Sequence, residues 1–331
     1  MIVVDADVLG RRRTGDETYV RELLRALPAV APDLRLAAVT RDPSLVPPGV
    51  EPLSLPAGSQ ELRMAWRLPR LLRRVRPELA HFLHVVPPGC PCPAVLTIQD
   101  LSFERDPSVM SAWERRVFRT VVPRSVRRAA RILAISERTR DDLTDLYGVP
   151  LDRIVVTPLG VDPDFRPGGA RGDYLLFVGA IEPRKDPLAA AEAARAVGRR
   201  LVVVGPARDR TLESALRDAG ADLRGYVAKP ELVRLYQGAA CVLFPSRYEG
   251  FGLPLVEAMA CGTPVVARPD AALREVAGDA AVFADGDLGE AVRTALAGSE
   301  RLSAAGLERA KRFTWEETAR LTAETYRELL P

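Results

Sequence analysis

The chain reads as an α/β protein built of two doubly wound parallel sheets. Short apolar runs alternate with helical patterns from end to end, as parallel sheets covered by helices on both faces require. One central stretch, LGVDPDFRPGGARGD from Leu159 to Asp173, interrupts every period with prolines, glycines and charges before an apolar strand follows. With 331 residues and 47% hydrophobic content, the chain can bury two cores.

In the first half, strands are expected at Met1 to Val4, Leu34 to Val39, Leu79 to Phe82, Val95 to Ile98, Ile132 to Ile135 and Ile154 to Val156. Helices such as Tyr19 to Leu27 and Glu137 to Tyr147 lie between them. The second half repeats the theme, with strands at Tyr174 to Val178, Leu201 to Val204, Leu223 to Tyr226, Cys241 to Phe244, Pro264 to Ala267 and Ala281 to Phe283. From Phe313 to Leu330, Trp315, Leu321, Tyr326 and Leu329 recur at helical spacing, which predicts a terminal helix packed on the body. The organisation is therefore residues 1–160, a linker over 161–172, a second domain over 173–312 and a closing helix over 313–331.

A net charge of +3 from 47 basic and 44 acidic residues gives no global field for a nucleic-acid partner. No apolar run approaches the roughly 20 residues that span a bilayer, and MIVVDADVLG lacks the charged start and cleavage site of a signal peptide. The expected address is the cytoplasm. Cys90, Cys92, Cys241 and Cys261 are too scattered for a disulfide framework and read as free thiols. Cys90 and Cys92 with His81 and His84 lack a metal-ligand spacing, and the histidines sit in the strand-like run HFLHVV. Two arginine-dense segments, Arg63 to Arg76 and Glu114 to Arg131, read as solvated helix faces with aliphatic residues inward; Pro69 and Pro123 weaken them as continuous helices. Their alternative use is docking of an anionic acceptor or peripheral contact with the inner face of a membrane.

The chemistry concentrates in FPSRYEGFGLPLVEAMACGTPVV, Phe244 to Val266. A strand ends near Phe244, Pro254 suits a first helical turn, and Gly262 closes the helix. Gly250 and Gly252 remove side chains from the approach, so backbone N–H groups and the positive end of the helix can face a diphosphate. Glu249 and Glu257 bracket the loop, and a carboxylate can accept two hydroxyl hydrogen bonds, as ribose and hexose diols offer. An acid in the first turns of a helix is also a simple dipole partner, which accounts for either residue alone but not for the set. Arg184 and Lys185 follow a strand that ends at Gly179, where open α/β sheets bind ligands. No Asp-x-Asp metal motif is read near these loops, and a guanidinium with an ammonium can neutralise a leaving diphosphate without a metal.

EGFGLPLVE and the preceding PS resemble the E-x7-E motif of retaining family 4 glycosyltransferases of the GT-B type, two Rossmann-like domains facing a cleft. The resemblance extends in order through AISERTRDDLTDLYGV, IVVTPLGVDPDFRP, FVGAIEPRKD, GYVAKPELVRLYQGA and FTWEETARLTAETYREL, nearly the whole chain. It implies that Glu257 holds the donor ribose, that Glu249 holds the transferred sugar, and that Arg184 and Lys185 take the diphosphate. It also implies donor contacts from Gly179, Tyr226, Gly250, Phe251, Gly252 and Leu253. In the first domain RRRTGDETYVRELLRAL resembles an acceptor-side loop: Gly15 is kept beside Asp16, but Glu17 and Thr18 stand where glycine and arginine are common. LTIQDLSFERDP resembles a stretch that often carries His-Asp; here Gln99 precedes Asp100 and cannot shuttle a proton near neutral pH.

The resemblance thus implies a retaining hexosyltransferase, and with the loop chemistry above it is expected to be metal-independent and to need no cofactor. It implies a GDP- or UDP-linked sugar donor, with a mannosyl donor favoured over a glucosyl one. The acceptor, on the first domain, is a glycan, a lipid-linked molecule or a small molecule. A nicotinamide-dependent oxidoreductase is disfavoured because neither the loop after Val4 nor that after Val178 contains G-x-G-x-x-G. A nucleotide-sugar epimerase or hydrolase and a non-catalytic sugar-nucleotide binder are the alternatives.

Overall fold

The computed structural model describes residues 1–331 apart from 12–13, 57, 107–109 and 331. Arg12, Arg13 and Pro107, which belong to the two acceptor-side stretches, lie outside the described residues. The chain divides into two compact units. The first comprises Met1–Glu104, Ala112–Gly160 and Trp315–Pro331; the second comprises Arg105–Ser111 and Val161–Thr314.

The first unit holds strands β1 (Ile2–Asp5), β2 (Leu36–Thr40), β3 (Glu51–Ser54), β4 (Leu79–Leu83), β5 (Ala94–Ile98), β6 (Arg131–Ala134) and β7 (Ile154–Val156). They form one parallel sheet in the order β3-β2-β1-β4-β5-β6-β7. Its helices are α1 (Thr14–Val30), α2 (Gln60–Leu62), α3 (Leu68–Val75), α4 (Ser102–Arg105), α5 (Ala112–Arg128) and α6 (Glu137–Tyr147). The central strands are buried on both faces, which explains runs such as AVLTI with no polar alternation. Edge strand β3 escaped the sequence reading because it is mostly exposed and carries Pro52, which only an edge tolerates.

The second unit holds β8 (Leu175–Val178), β9 (Leu201–Val204), β10 (Asp222–Gly225), β11 (Cys241–Phe244), β12 (Val265–Ala267) and β13 (Val282–Phe283). These form a parallel sheet in the order β10-β9-β8-β11-β12-β13. Helices α7 (Pro187–Ala196), α8 (Arg210–Asp218), α9 (Lys229–Gly238), α10 (Leu253–Ala260), α11 (Ala271–Ala277), α12 (Leu288–Ala297) and α13 (Ser299–Ala310) cover it. Leu175, Phe177, Leu201, Val203, Leu243 and Val292 lie in its core.

Residues 161–172, expected as a linker, count with the second unit because hydrogen bonds tie them there. Val161 N donates to the Phe313 carbonyl (3.0 Å), Gly172 N to that of Gly238 (2.7 Å), and Gln237 Nε2 to that of Arg166 (2.8 Å). The terminal helix α14 (Trp315–Leu329) belongs to the first unit, where it packs on α1. Between them runs a buried polar chain: Tyr19 Oη to Thr97 Oγ1 (2.9 Å), Thr97 Oγ1 to His81 Nε2 (2.7 Å), and His81 Nδ1 to Tyr326 Oη (2.6 Å). Burial drives the His81 pKa down to about 3, so the ring is neutral and bridges two hydroxyls.

Two expectations about the arginine-dense segments change. Helix α5 runs through Pro123, keeping Val122 and Val126 buried; that packing offsets the one backbone bond the proline removes. Arg63, read as part of a solvated face, is completely buried at the start of a π-helical turn (Arg63–Arg67). Its Nη1 donates to Asp5 Oδ2 (3.0 Å) and its Nε lies 3.1 Å from Asp7 Oδ1, both acids at the end of β1.

Candidate active site

In each sheet the strand order reverses direction beside the first strand, between β1 and β4 and between β8 and β11. Such switch points open a crevice at the carboxyl ends of the strands. In the second unit, the loops leaving β8 and β11 converge there.

The β8 loop begins at Gly179, and its neighbour β9 ends at Gly205, whose φ is +140°. A Cβ on Gly205 would stand 2.0 Å from the Gly179 carbonyl oxygen, and one on Gly179 would stand 2.9 Å from Lys185 Cδ. Only glycine lets the two strand ends and the lysine stem meet. A 3₁₀ turn, Pro183–Lys185, then aims the two cations at the β11 loop. Lys185 Nζ passes over the Phe244 ring (5.4 Å) and donates to Glu249 Oε1 at 2.9 Å. Arg184 Nη2 donates to Glu182 Oε1 (2.8 Å), while Nη1 donates to the Tyr248 carbonyl and lies 3.3 Å from Glu249 Oε1. Glu182 also accepts from Arg208 Nη1 at 2.9 Å.

Burial alone would raise the Glu249 carboxyl. The charges of Lys185 and Arg184, with hydrogen bonds from Lys185 and Ser246, outweigh it and bring the pKa to about 2. Glu249 is therefore an anion at every physiological pH. Gly252 follows at φ +100° as the N-cap of α10, and a Cβ there would meet Leu273 Cδ2 at 2.6 Å. One turn into α10, Glu257 Oε2 accepts from Tyr236 Oη at 2.7 Å. Burial raises the Glu257 pKa to about 7; the Tyr236 bond opposes the rise and the Asp162 charge adds to it. The two glutamates of one motif thus sit at opposite ends of the carboxyl range.

The matching edge of the first unit gathers different groups. His84, just past β4 at φ +56°, has its Nε2 3.5 Å from Asp16 Oδ1. A Cβ on Gly15 would lie 3.5 Å from Gln99 Oε1, while the buried Gln99 Nε2 has no hydrogen-bond partner among the described residues. Asp100 Oδ1 accepts from Ser102 N (2.9 Å) and so opens α4.

Residues 13–165 match the model for Glycosyltransferase Family 4, and residues 172–298 match that for Glycosyl transferases group 1. The chain is 31% identical over 266 residues to O-antigen chain mannosyltransferase B of Escherichia coli, covering 71% of this chain and 70% of that protein. It belongs to the family 4 glycosyltransferases. The D-inositol 3-phosphate glycosyltransferase of Paenarthrobacter aurescens is 35% identical over 239 residues, 60% of this chain but only 58% of that enzyme. The GT-B fold of the transferase is shared with sucrose-phosphate synthase from Thermosynechococcus elongatus (TM-score 0.83, 19% identity, 99% and 98% of the two chains). It is also shared with Anabaena HepE, solved in complex with UDP-glucose (TM-score 0.76, 16% identity, 99% and 100%).

Of the transferase's expected donor residues, Gly179, Arg184, Lys185 and Glu249 meet in one cluster, and Gly250, Gly252, Leu253 and Glu257 continue from it along the chain. Phe251 is instead buried, with its ring 5.5 Å from Phe313, and so anchors the loop from beneath. Tyr226 is 65% exposed beyond edge strand β10, two strands from β8. His84, read from the sequence as part of a strand, lies just past β4, and Tyr236, Asp162 and Gly205 were not singled out from the sequence. Asp162 and Asp164 do carry an Asp-x-Asp spacing beside the donor loops, a signal that was available. Both carboxylates are held by Lys229 Nζ, at 2.6 and 2.9 Å. Among the described residues, no three His, Cys, Asp or Glu side chains gather as metal ligands.

Proposed function

We propose that this glycosyltransferase is retaining and metal-independent, and that it moves a hexose from a nucleoside-diphosphate sugar held by the second unit to an acceptor hydroxyl held by the first. The observation that carries this reading is the cluster of Arg184, Lys185 and Glu249 at the β8/β11 switch point. As the glycosidic bond breaks, charge accumulates on the departing diphosphate. Arg184 and Lys185, pre-oriented by Glu182 and Glu249, need no reorganisation to meet that charge. Glu249 is occupied by both cations and holds sugar hydroxyls rather than attacking the anomeric carbon. Departure and attack then share one face, and the acceptor proton passes to the leaving phosphate. GDP-mannose is the first donor to test, in keeping with a relative named as a mannosyltransferase, and UDP-glucose the second.

The first unit's surface suits an acceptor presented at an anionic membrane. Trp66 is 58% exposed with the Arg70 guanidinium 4.8 Å over its ring, and Trp113 is 70% exposed at the head of arginine-rich α5. No described helix is long and apolar enough to cross a membrane. Co-sedimentation with vesicles containing anionic lipid, lost on Trp113→Ala with Trp66→Ala, tests this.

The two glutamates test the donor assignment. Glu257→Ala should weaken binding of the bare nucleoside diphosphate by about 2 to 4 kcal/mol, the scale of two charge-assisted hydrogen bonds. Glu249→Ala should lose turnover and change that affinity less, since it takes a counter-ion from Lys185 and Arg184 but removes neither cation. Titration calorimetry beside steady-state kinetics with the full donor reads both. Equal losses of nucleotide affinity would remove Glu249 from the sugar.

A further inference from the structure

We propose that Tyr236 is a positioning residue for the nucleotide site: its hydroxyl fixes Oε2 of Glu257 and keeps that carboxylate as the acceptor for the ribose hydroxyls. The inference rests on the reading that Glu257 binds the ribose. It adds a residue 21 positions away in sequence, in a different helix.

Three contacts hold the phenol in place. Its ring is fully buried and meets the Phe165 ring edge-on, with centroids 5.7 Å apart. Its backbone carbonyl accepts from Thr263 Oγ1 (2.7 Å), just beyond α10, so α9 is pinned to the helix that carries Glu257. Its hydroxyl then has one described acceptor, Glu257 Oε2 at 2.7 Å. Burial, reinforced by the Glu257 charge, holds the phenol pKa well above its usual value, so the O–H remains a donor.

The groups facing Glu257 set its charge. Tyr236 on α9 is the neighbour that favours the anion, and Asp162, before α9, disfavours it. Lys229 ties Asp162 and Asp164 down from the first turn of α9. Cys261, at the end of α10, is neutral because burial, then Glu257, pushes its thiol up to about 12. Remove the phenolic hydrogen bond and burial is left unopposed. The carboxyl then holds its proton at neutral pH and can no longer accept from both ribose hydroxyls.

The experiment is calorimetric titration of the 331-residue chain with GDP and with UDP, continued with whichever binds more tightly, between pH 6 and 9. The probes are that nucleotide and its 2′-deoxy and 3′-deoxy forms; the proteins are wild type, Tyr236→Phe and Glu257→Gln. Tyr236→Phe should bind the ribonucleotide about tenfold more weakly at pH 7, the scale of one hydrogen bond to a charged group. It should recover toward wild type as pH rises, and should lose little for the deoxy forms. Glu257→Gln should be weak at every pH. A Tyr236→Phe profile that matches wild type, or a loss equal for all three nucleotides at all pH values, would overturn the positioning role. Wild-type affinity in Glu257→Gln would instead overturn the ribose reading itself. Should Tyr236→Phe fail to fold, 3,5-difluorotyrosine installed at position 236 keeps the ring and strengthens the donor. It should move the acidic limb of the binding profile to lower pH, and an unmoved limb overturns the proposal.

Discussion

The two switch points occupy the same place in the same topology, yet each resolves its charges differently. At the end of β1, Asp5 and Asp7 close around a completely buried Arg63, with Arg41 Nε (2.7 Å) and Arg11 Nη1 (2.7 Å) also on Asp7. Those charges are spent on holding the unit together. At the end of β8, Arg184 and Lys185 reach across to the next loop, with Glu249 and Glu182 as counter-ions. There the ion pairs orient cations toward a strand-end crevice. The same sheet edge can thus be closed by its own ion pairs or carry cations bridged to the next loop, and it is the second arrangement that the proposed function uses.

The sharpest way to break this comparison is to remove the cations from both edges. Arg184→Ala and Lys185→Ala should each lower kcat/KM by about 10²- to 10³-fold, as losing one pre-oriented donor to a developing anion does, and each should weaken nucleotide affinity as well. At the other edge, Arg63→Met should leave nucleotide affinity intact but destabilise the first unit by about 3 to 5 kcal/mol, because two acids lose a buried partner. Denaturant unfolding and nucleotide titration on the same samples separate the two outcomes. Unchanged unfolding in the Arg63→Met variant would erase the distinction.

Acid should act on the two units in sequence. His81 has a folded pKa of about 3 against an ordinary 6.5, so below pH 6.5 the unfolded chain binds a proton that the folded chain does not. Stability of the first unit then falls by about 1.4 kcal/mol per pH unit below that point, and His81→Phe should flatten the slope. Glu249 has its pKa depressed from 4.5 to about 2, so its contribution is complete above pH 4.5 and is lost only as pH falls toward 2. Hydrogen exchange at pH 5 should therefore find the first unit loosened and the Glu249 loop still protected. The smallest expected effect is that of a chelator. Transfer should proceed unchanged in EDTA, and loss of turnover restored by manganese or magnesium would return the Asp162 and Asp164 carboxylates to consideration as ligands.

Local features were legible in the sequence and meetings between distant segments were not. Apolar runs placed Leu201 to Val204 and Cys241 to Phe244 without error, because a buried parallel strand is written in consecutive residues. Edge strand β3 and the passage of α5 through Pro123 both depend on which face is solvated, and local composition does not record that. The segment over 161–172 has the composition of a linker, but its hydrogen bonds run to residues such as Gly238 and Phe313 far along the chain. The Glu249-to-Glu257 run was readable for the same reason the strands were. His84 with Asp16, and Tyr236 with Glu257, come together only through the folding of helices against strand ends.

Helix α14 also sets the order in which the two units can be completed as the chain is made. Its Tyr326 completes the buried chain through His81 and Thr97 to Tyr19, and its Trp315 ring lies 6.4 Å from that of Tyr19. Those partners emerge early in synthesis, and the whole second unit is made before their cover arrives. The part of the chain made first is therefore the part completed last, and the second unit can close its own core while the first still waits for α14.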